Sequence, residues 1–384
     1  RAELFESFLH TKYVGKKRFS IEGAETLIPM IGSFLEKVAA DGAQEVVFGM
    51  SHRGRLNVLT SILNKPCEQL FCEFEDIPYG QFEGSGDVPY HKGYRSRVTL
   101  ASGNMLDLWL VDNPSHLESV DPVMEGIVRA HQNVGVYSVP LLIHGDAAVA
   151  GQGVVYETLQ LSQLRGYSTG GTVHIVINNN VGFTASPEDS RSTLYCTDIA
   201  KAFGLPVIHV NAEEPERCIW AIECAFAVRK RFGIDVFIDL DCYRKHGHNE
   251  GDEPAFTQPL LYQSLRKKEP IRALYAKKLI ESGILAKEAI VEADNAMRQA
   301  LQTTLNEVKQ KRPIKEVKVV AVQEEASTAV DRKRLEDIIK AITKVPEGFS
   351  LHPRLQHAVS ERAKQISIDW SFAETLALGS LLQE

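Results

Sequence analysis

No stretch of this 384-residue chain approaches the ~18 consecutive apolar residues that a membrane-crossing helix needs. Its apolar runs, such as Val139–Ile143 and Val173–Ile177, are strand-sized. Cysteine is sparse: Cys67, Cys72, Cys196, Cys218, Cys224 and Cys242 include no CxxC pair. That argues against structural zinc and against a disulfide scaffold, and it suits a reduced compartment, bacterial cytoplasm or mitochondrial matrix. Positive charge is in deficit, with 43 Lys and Arg against 50 Asp and Glu, a net −7 and a pI near 6.0. A nucleic-acid partner is therefore not expected. The opening residues lack the basic stub and apolar core of a signal peptide. The last segment, WSFAETLALGSLLQE, is a helical pattern cut at Glu384, so a piece of a longer protein is expected. Internal repeats, low-complexity tracts, a P-loop and an HExxH helix are all missing.

What is present is alternation. Between about residues 20 and 255, strand-like runs (Glu45–Met50, Leu106–Val111, Val139–His144, Thr172–Asn178, Pro206–Val210, Asp235–Asp241) alternate with helix-length segments. One such segment is Pro215–Arg231, where Ile219, Ile222, Cys224 and Phe226 suggest a buried stripe. This pattern predicts an α/β fold, a doubly wound and mostly parallel sheet whose ligands bind beyond the carboxyl ends of the strands. After Pro254 the composition turns to Ala, Leu, Glu and Lys without strand-like runs, which predicts helices closed by Pro313.

The stretch LLIHGDAAVAGQGVVYETLQLSQLRGYSTGGTVHIVINNNVGF, residues 141–183, carries the sharpest signal. An apolar run ends in Gly145-Asp146 and a second ends in Asn178-Asn179-Asn180, with Asp146 and Asn179 33 positions apart. Between them lie Gly151, Gly153 and a helix with Val154, Val155, Leu159, Leu161 and Leu164 on its apolar face. A lone Gly-Asp or Asn-Asn is most often an ordinary turn. Here both stand at strand ends. A carboxylate and an amide oxygen, completed by a backbone carbonyl, water and phosphate oxygens, form a suitable set for Mg²⁺. This is not a nicotinamide fingerprint, because the acid precedes the glycines and Gly151-Gln152-Gly153 lacks a third glycine.

The arrangement resembles the thiamine-diphosphate motif, G-D-G followed after some 25 to 30 residues by N-N, with Ala147 in place of the last glycine. That departure points to one branch, the 2-oxoglutarate dehydrogenase first component, where HGDAA and GQG stand together. GMSHRGRLNVL (49–59), GSGDVPYHKG (84–93), NPSHLESVDPV (113–123), STLYCTDIAKAFGLPVIHVN (192–211) and YRKHGHNEGDEP (243–254) are similar too, in the same order.

The resemblance implies a Mg²⁺ site of Asp146, Asn179 and the Val181 main-chain carbonyl, with the Ala147 and Ala148 amides facing the diphosphate. Asn178 and Asn180 are read as strand-end and turn residues. It places His248 of KHGHNE on the diphosphate, and His52 and His91 in the pocket for the distal carboxylate of the 2-oxo acid, with Arg53, Ser115 and His116 beside them. His52, His91 and His248 are the implied catalytic histidines. The bland alternative, a structural role, holds for any single histidine and above all for His116. A metal pair of His246 and His248, as in a hydrolase, lacks a third scaffolded ligand.

The implied reaction is the oxidative decarboxylation of 2-oxoglutarate, with succinyl transfer to a lipoyl group on an acyltransferase partner. The alternatives are a 2-oxoadipate enzyme of the same family, since Pro89 and Lys92 depart from the family's usual KYHLG, or a remnant that binds without turnover. The expected organisation is a lead-in (1–20), the diphosphate- and Mg-binding domain (21–255), a helical segment (256–313), and a linker (314–365) with a helix at Arg332–Thr343. The start of a second, pyrimidine-binding domain (366–384) follows. The glutamate that protonates the cofactor's aminopyrimidine belongs to that second half, so this chain alone is expected to be incomplete. A homodimer is implied by the same resemblance.

Overall fold

The structure, a computed structural model, describes residues 1–75, 77, 88–310, 327–349, 351, 353–364 and 367–383. Residues 84–87 of the GSGDVPYHKG segment and Pro313 lie outside the described residues. The chain divides into two compact units, Arg1–Lys315 and Glu316–Glu384.

The first unit is an α/β sandwich on a seven-stranded sheet. Its strands are β1 (Glu45–Met50), β2 (Tyr94–Thr99), β3 (Met105–Leu110), β4 (Ser138–Gly145), β5 (Val173–Asn178), β6 (Val207–Asn211) and β7 (Val236–Asp241). They run in the order β2-β3-β1-β4-β5-β7-β6, and every neighbouring pair is parallel except β2 with β3. The central strands β4 and β5 are buried on both faces, which is why they read as unbroken apolar runs.

Strand β2 is absent from the sequence reading. YRSRVT sits at the sheet edge with most of its residues partly or fully exposed, so it carries no apolar signal. Cross-strand pairs hold it instead. Arg97 grips Asp107 with two hydrogen bonds of 2.6 Å, and the Arg95 guanidinium lies 3.3 Å over the Trp109 ring.

Helices cover both faces of the sheet. Those used below are α1 (Ala2–Lys12), α2 (Leu27–Ala40), α3 (Arg55–Ser61), α4 (Cys67–Phe74), α5 (Val120–Asn133), α6 (Asp146–Gly151), α7 (Gly153–Leu161) and α8 (Pro215–Phe232). The buried face of α8 is Cys218, Ala221, Ile222, Ala225, Phe226 and Arg229, at i, i+3, i+4, i+7, i+8 and i+11. Of the expected stripe, Ile222 and Phe226 are on this face, while Ile219 and Cys224 are only partly buried. Leu164, expected on the apolar face after the glycines, is exposed because α7 ends at Leu161. Three further helices, α9 (Pro259–Leu265), α10 (Ile271–Glu281) and α11 (Lys287–Gln310), complete the unit. Among the described residues no helix is long and apolar enough to cross a membrane.

The second unit holds α12 (Arg332–Thr343), α13 (Pro353–Ala363) and α14 (Trp370–Leu381). Ile338, Ile339, Phe372 and Leu376 form its small core. Gly379 lets α12 and α14 approach, since a Cβ there would lie 2.5 Å from Ile338 Cγ2.

Candidate active site at the strand ends

In a parallel sheet all carboxyl ends point one way, so the segments after β1, β4, β5 and β7 emerge together. The chain order reverses between β1 and β4, which makes that gap the switch point where ligands bind. His52 and Arg53 follow β1, Asp146 follows β4, Asn179 follows β5, and Arg244 to His248 follow β7.

Asp146 opens α6 directly after β4 and is 4% exposed. Burial pushes its carboxyl up from the ordinary value, against the opposing pull of the Ala147 amide and of the Arg191 and Arg53 guanidiniums. Register aligns Gly145 with Ile177, so Asp146 and the asparagine run leave neighbouring strands at the same level. Asn179 is buried too, and its Oδ1 accepts the Val181 amide at 3.2 Å. Its flanking residues point elsewhere: Asn178 Nδ2 donates to Asp239 Oδ1 at 3.0 Å, and Asn180, at φ 59°, donates to Asp241 Oδ1 at 2.9 Å.

The Val181 carbonyl accepts Arg244 Nη1 at 3.3 Å, which occupies one of its two lone pairs. Arg244 also donates to the Phe183 and His246 carbonyls, stapling the turn after β5 to the loop after β7. A Cβ on Gly182 would lie 2.6 Å from the Ala147 Cβ. The alanine that replaces the motif's last glycine is thus packed against a glycine of the asparagine turn. Asp146 and Asn179 leave adjacent strands at one level, and with the Val181 carbonyl they offer oxygen donors of the kind that a divalent cation takes.

The histidines gather beside this set around one aromatic residue that sequence reasoning missed. Phe19 is buried, with ring centroids 3.9 Å from His52, 5.0 Å from Tyr90 and 5.3 Å from His248. His52 and His248 stand 5.4 Å apart, and Phe183 covers His248 edge-on at 5.0 Å. His91 Nε2 lies 3.3 Å from Ser115 Oγ. His116 is exposed, and its carbonyl accepts the Ser119 hydroxyl at 2.8 Å.

Arg53 does not present an open fork. Nη1 donates to the Ser20 carbonyl at 2.9 Å and Nη2 to the His248 carbonyl at 3.0 Å, so it welds the lead-in to the HGH loop. Arg55, fully buried, does the same for the other wall through the carbonyls of Met50, Lys92 and Val111. The signal for both lies in one short run, HRGR (52–55): two arginines opening a helix straight after a strand.

Burial first, then Arg53 and the neighbouring histidines, pull His52 down to about 3. Burial, Arg53 and Arg244 pull His248 down to about 4. Both rings are neutral at physiological pH, and most of the charges that act on them are cationic, Arg53, Arg244 and Lys17 against Asp252. Such a balance of charge favours an anion there. His246 turns away. It is exposed, 3.6 Å from Glu22 Oε1, beside a cavity of about 550 Å³ lined by Glu6, His10, Arg18 and Glu250, so it does not converge with His248 on a common metal.

A second cluster lies under the same strands. Glu118, Asp121 and His144 are all buried, with ligand-type atoms within 4.8 Å of one another. His144 Nδ1 is 2.6 Å from Glu118 Oε2, and its Nε2 is 3.0 Å from His174 Nδ1. His174 Nε2 then lies 3.4 Å from Asp235 Oδ2. Burial and the Glu118 charge push the Asp121 carboxyl well up.

The family described as "Dehydrogenase E1 component" matches residues 2–317. The chain belongs to that family. It is 47% identical, over its whole length, to the "Multifunctional 2-oxoglutarate metabolism enzyme" of Mycolicibacterium vanbaalenii, of which it covers 32%. It is 46% identical, over 99% of its length, to the "2-oxoglutarate dehydrogenase E1/E2 component" of Corynebacterium glutamicum, again covering 32%. The chain therefore spans about a third of the length of these E1-family relatives. Its sheet of mostly parallel strands with helices on both faces agrees with the expected fold class.

Proposed function

We propose that this chain is the diphosphate- and Mg²⁺-binding part of a thiamine-diphosphate-dependent 2-oxoglutarate dehydrogenase. Membership of the E1 family and the relatives' printed names support the substrate class, and favour 2-oxoglutarate over 2-oxoadipate. The observation that carries the reading is the pairing of Asp146 and Asn179 at adjacent strand ends, next to a pocket of neutral histidines among arginines.

Thiamine diphosphate, when bound, supplies the electron sink that makes loss of CO₂ feasible. The protein's own residues would do the rest. Asp146 and Asn179, with the free lone pair of the Val181 carbonyl, would hold Mg²⁺. The Ala147 and Ala148 amides open α6 and would meet the diphosphate oxygens, where the first N–H groups of a helix favour anions. His52 and His91, the latter beside Ser115, would donate hydrogen bonds to the distal carboxylate of 2-oxoglutarate. Arg53 and Arg55 would fix the walls that carry these histidines. His248, neutral and held by Phe19 and Phe183, would exchange a proton at the diphosphate end. The buried Phe19 ring would help to keep water away from the reacting carbon.

The missing half of the site, a pyrimidine-binding domain, would come from the rest of the polypeptide or a second copy. The acyl group would leave on a lipoyl arm of an acyltransferase component, in keeping with the E1/E2 name of one relative. A homodimer in the bacterial cytoplasm is the assembly proposed.

Calorimetry of thiamine diphosphate binding, with and without Mg²⁺, tests the reading on the wild type and on Asp146→Ala. Metal-dependent binding lost in the variant is expected. Binding indifferent to both metal and Asp146 would overturn it.

A further inference from the structure

The run Asn178-Asn179-Asn180 raises a mechanical question that the metal site leaves open. The middle amide has to face the cation, yet it sits in a turn between two chemically identical side chains. Any rotation of this backbone by one residue would present the wrong asparagine.

The neighbouring strand β7 carries two carboxylates, Asp239 and Asp241, on the same face of the sheet because side chains two apart share a face. Asp239 takes the Asn178 amide at 3.0 Å, and Asp241 takes the Asn180 amide at 2.9 Å. The backbone is pinned at the same level, since the Cys242 amide donates to the Asn178 carbonyl at 2.9 Å. Both flanking asparagines are therefore drawn towards β7. Asn179 is left with one contact within its own turn, from the Val181 amide.

Asn180 is the more telling of the two. It adopts a left-handed backbone at φ 59°, so strand alternation no longer fixes where its side chain goes, and the bond to Asp241 does. Asp239 is anchored further. It is 2% exposed and also receives His209 Nδ1 at 3.0 Å and the Thr197 hydroxyl at 3.4 Å. A carboxylate with so many donors is a rigid post, not a mobile side chain.

We propose that Asp239 and Asp241 are positioning residues that aim Asn179 at the cation by tying down the asparagines on either side of it. The proposal rests on the Mg²⁺ reading given above and adds to it the cause of the asparagine's orientation. Neither aspartate touches the cofactor in this scheme; each acts through an amide one residue away from the ligand.

The experiment measures the Mg²⁺ concentration that half-saturates thiamine diphosphate binding in the full chain, alongside the melting temperature. Asp241 is exposed, so Asp241→Ala is expected to melt with the wild type while its half-saturating Mg²⁺ rises about tenfold, as for loss of a residue that orients a ligand. Asp241→Asn keeps an acceptor oxygen for Asn180 and is expected to restore wild-type metal dependence. Asp239→Ala is expected to weaken the metal and lower the melting temperature together, because it strands several buried donors. If the wild type binds without Mg²⁺ dependence, the parent reading falls and the proposal falls with it. If the wild type is metal-dependent and Asp241→Ala matches it, the proposal alone is overturned.

Discussion

Two groups of histidines occupy this sheet, and they are built on opposite principles. At the rim, His52 and His248 stand among aromatic rings and arginines, in ring-to-ring contact with Phe19 and with each other. Beneath the rim, His144 and His174 are buried and chained nitrogen to nitrogen, between Glu118 at one end and Asp235 at the other. In the interior pair both nitrogens of His144 and Nδ1 of His174 are hydrogen-bonded within the fold, and His174 Nε2 stands 3.4 Å from Asp235. We propose that His52 and His248 keep theirs for a ligand. Residue type alone does not separate the two; the identity of the neighbours does.

Removing an interior partner should give the largest effect. Glu118→Ala leaves His144 Nδ1 without its 2.6 Å partner in a site closed to water. A stability loss of about 3–5 kcal/mol is expected, measured by urea unfolding. If this variant unfolds at the wild-type midpoint, the contrast between spent and available histidines is wrong.

His52→Ala should behave in the opposite way. The ring touches Phe19 and His248 but among the described residues has no side-chain hydrogen bond, so the unfolding midpoint should move little. Turnover of 2-oxoglutarate by the full enzyme should fall about 100-fold, the usual weight of one positioned donor or base. A variant that unfolds early yet turns over normally would place His52 in the interior class.

How much of this was legible differs between the two regions for a physical reason. The rim reads well because strand ends break the periodicity: Gly145-Asp146, the asparagine run, HRGR and HGH each interrupt an apolar run with polar residues. The interior network reads poorly. His144 and His174 sit inside apolar strands as single polar letters, and their acids, Glu118 and Asp235, lie 26 and 61 positions away. Phe19 was invisible for a related reason. It belongs to the lead-in (1–20), which the sequence set apart from the domain, yet Arg53 binds the Ser20 carbonyl and draws that segment into the site. Strand β2 escaped because an edge strand facing water has no apolar face to show.

A smaller effect tests the packing at the rim. Gly182→Ala would put a methyl group 2.6 Å from the Ala147 Cβ, too close for either backbone to stay in place. Overpacking of this kind costs about 1–3 kcal/mol. Thiamine diphosphate affinity should drop as the Asp146 and Val181 backbones part. Ala147→Gly removes the opposing methyl and should rescue Gly182→Ala in the double variant. Additive losses in that cycle would show that the two residues do not meet.

The mildest test uses pH, and its sign separates the two classes of buried group. His52 and His248 have folded-state values of about 3 and about 4, below the ordinary histidine value of 6.5. The unfolded chain therefore binds more protons between those limits. Their contribution to stability is complete above about pH 6.5 and is lost as pH falls towards 4. Glu125, beside the interior network, runs the other way. Burial and the Asp235 charge raise it to about 7, so the folded state holds the extra proton, and stability from this group is lost as pH rises from 4.5 through 7. Urea unfolding from pH 5 to 8 should show both limbs. His52→Gln should flatten only the acid limb, because glutamine does not titrate. Glu125→Gln should reduce only the neutral-to-alkaline limb, to which Glu6 and Glu25, also raised to about 7, contribute; one threonine hydroxyl keeps an oxygen to donate to and the other accepts from the new amide. An acid limb that survives His52→Gln unchanged would mean that the rim histidines are not desolvated, and that the pocket is wetter than its aromatic lining implies.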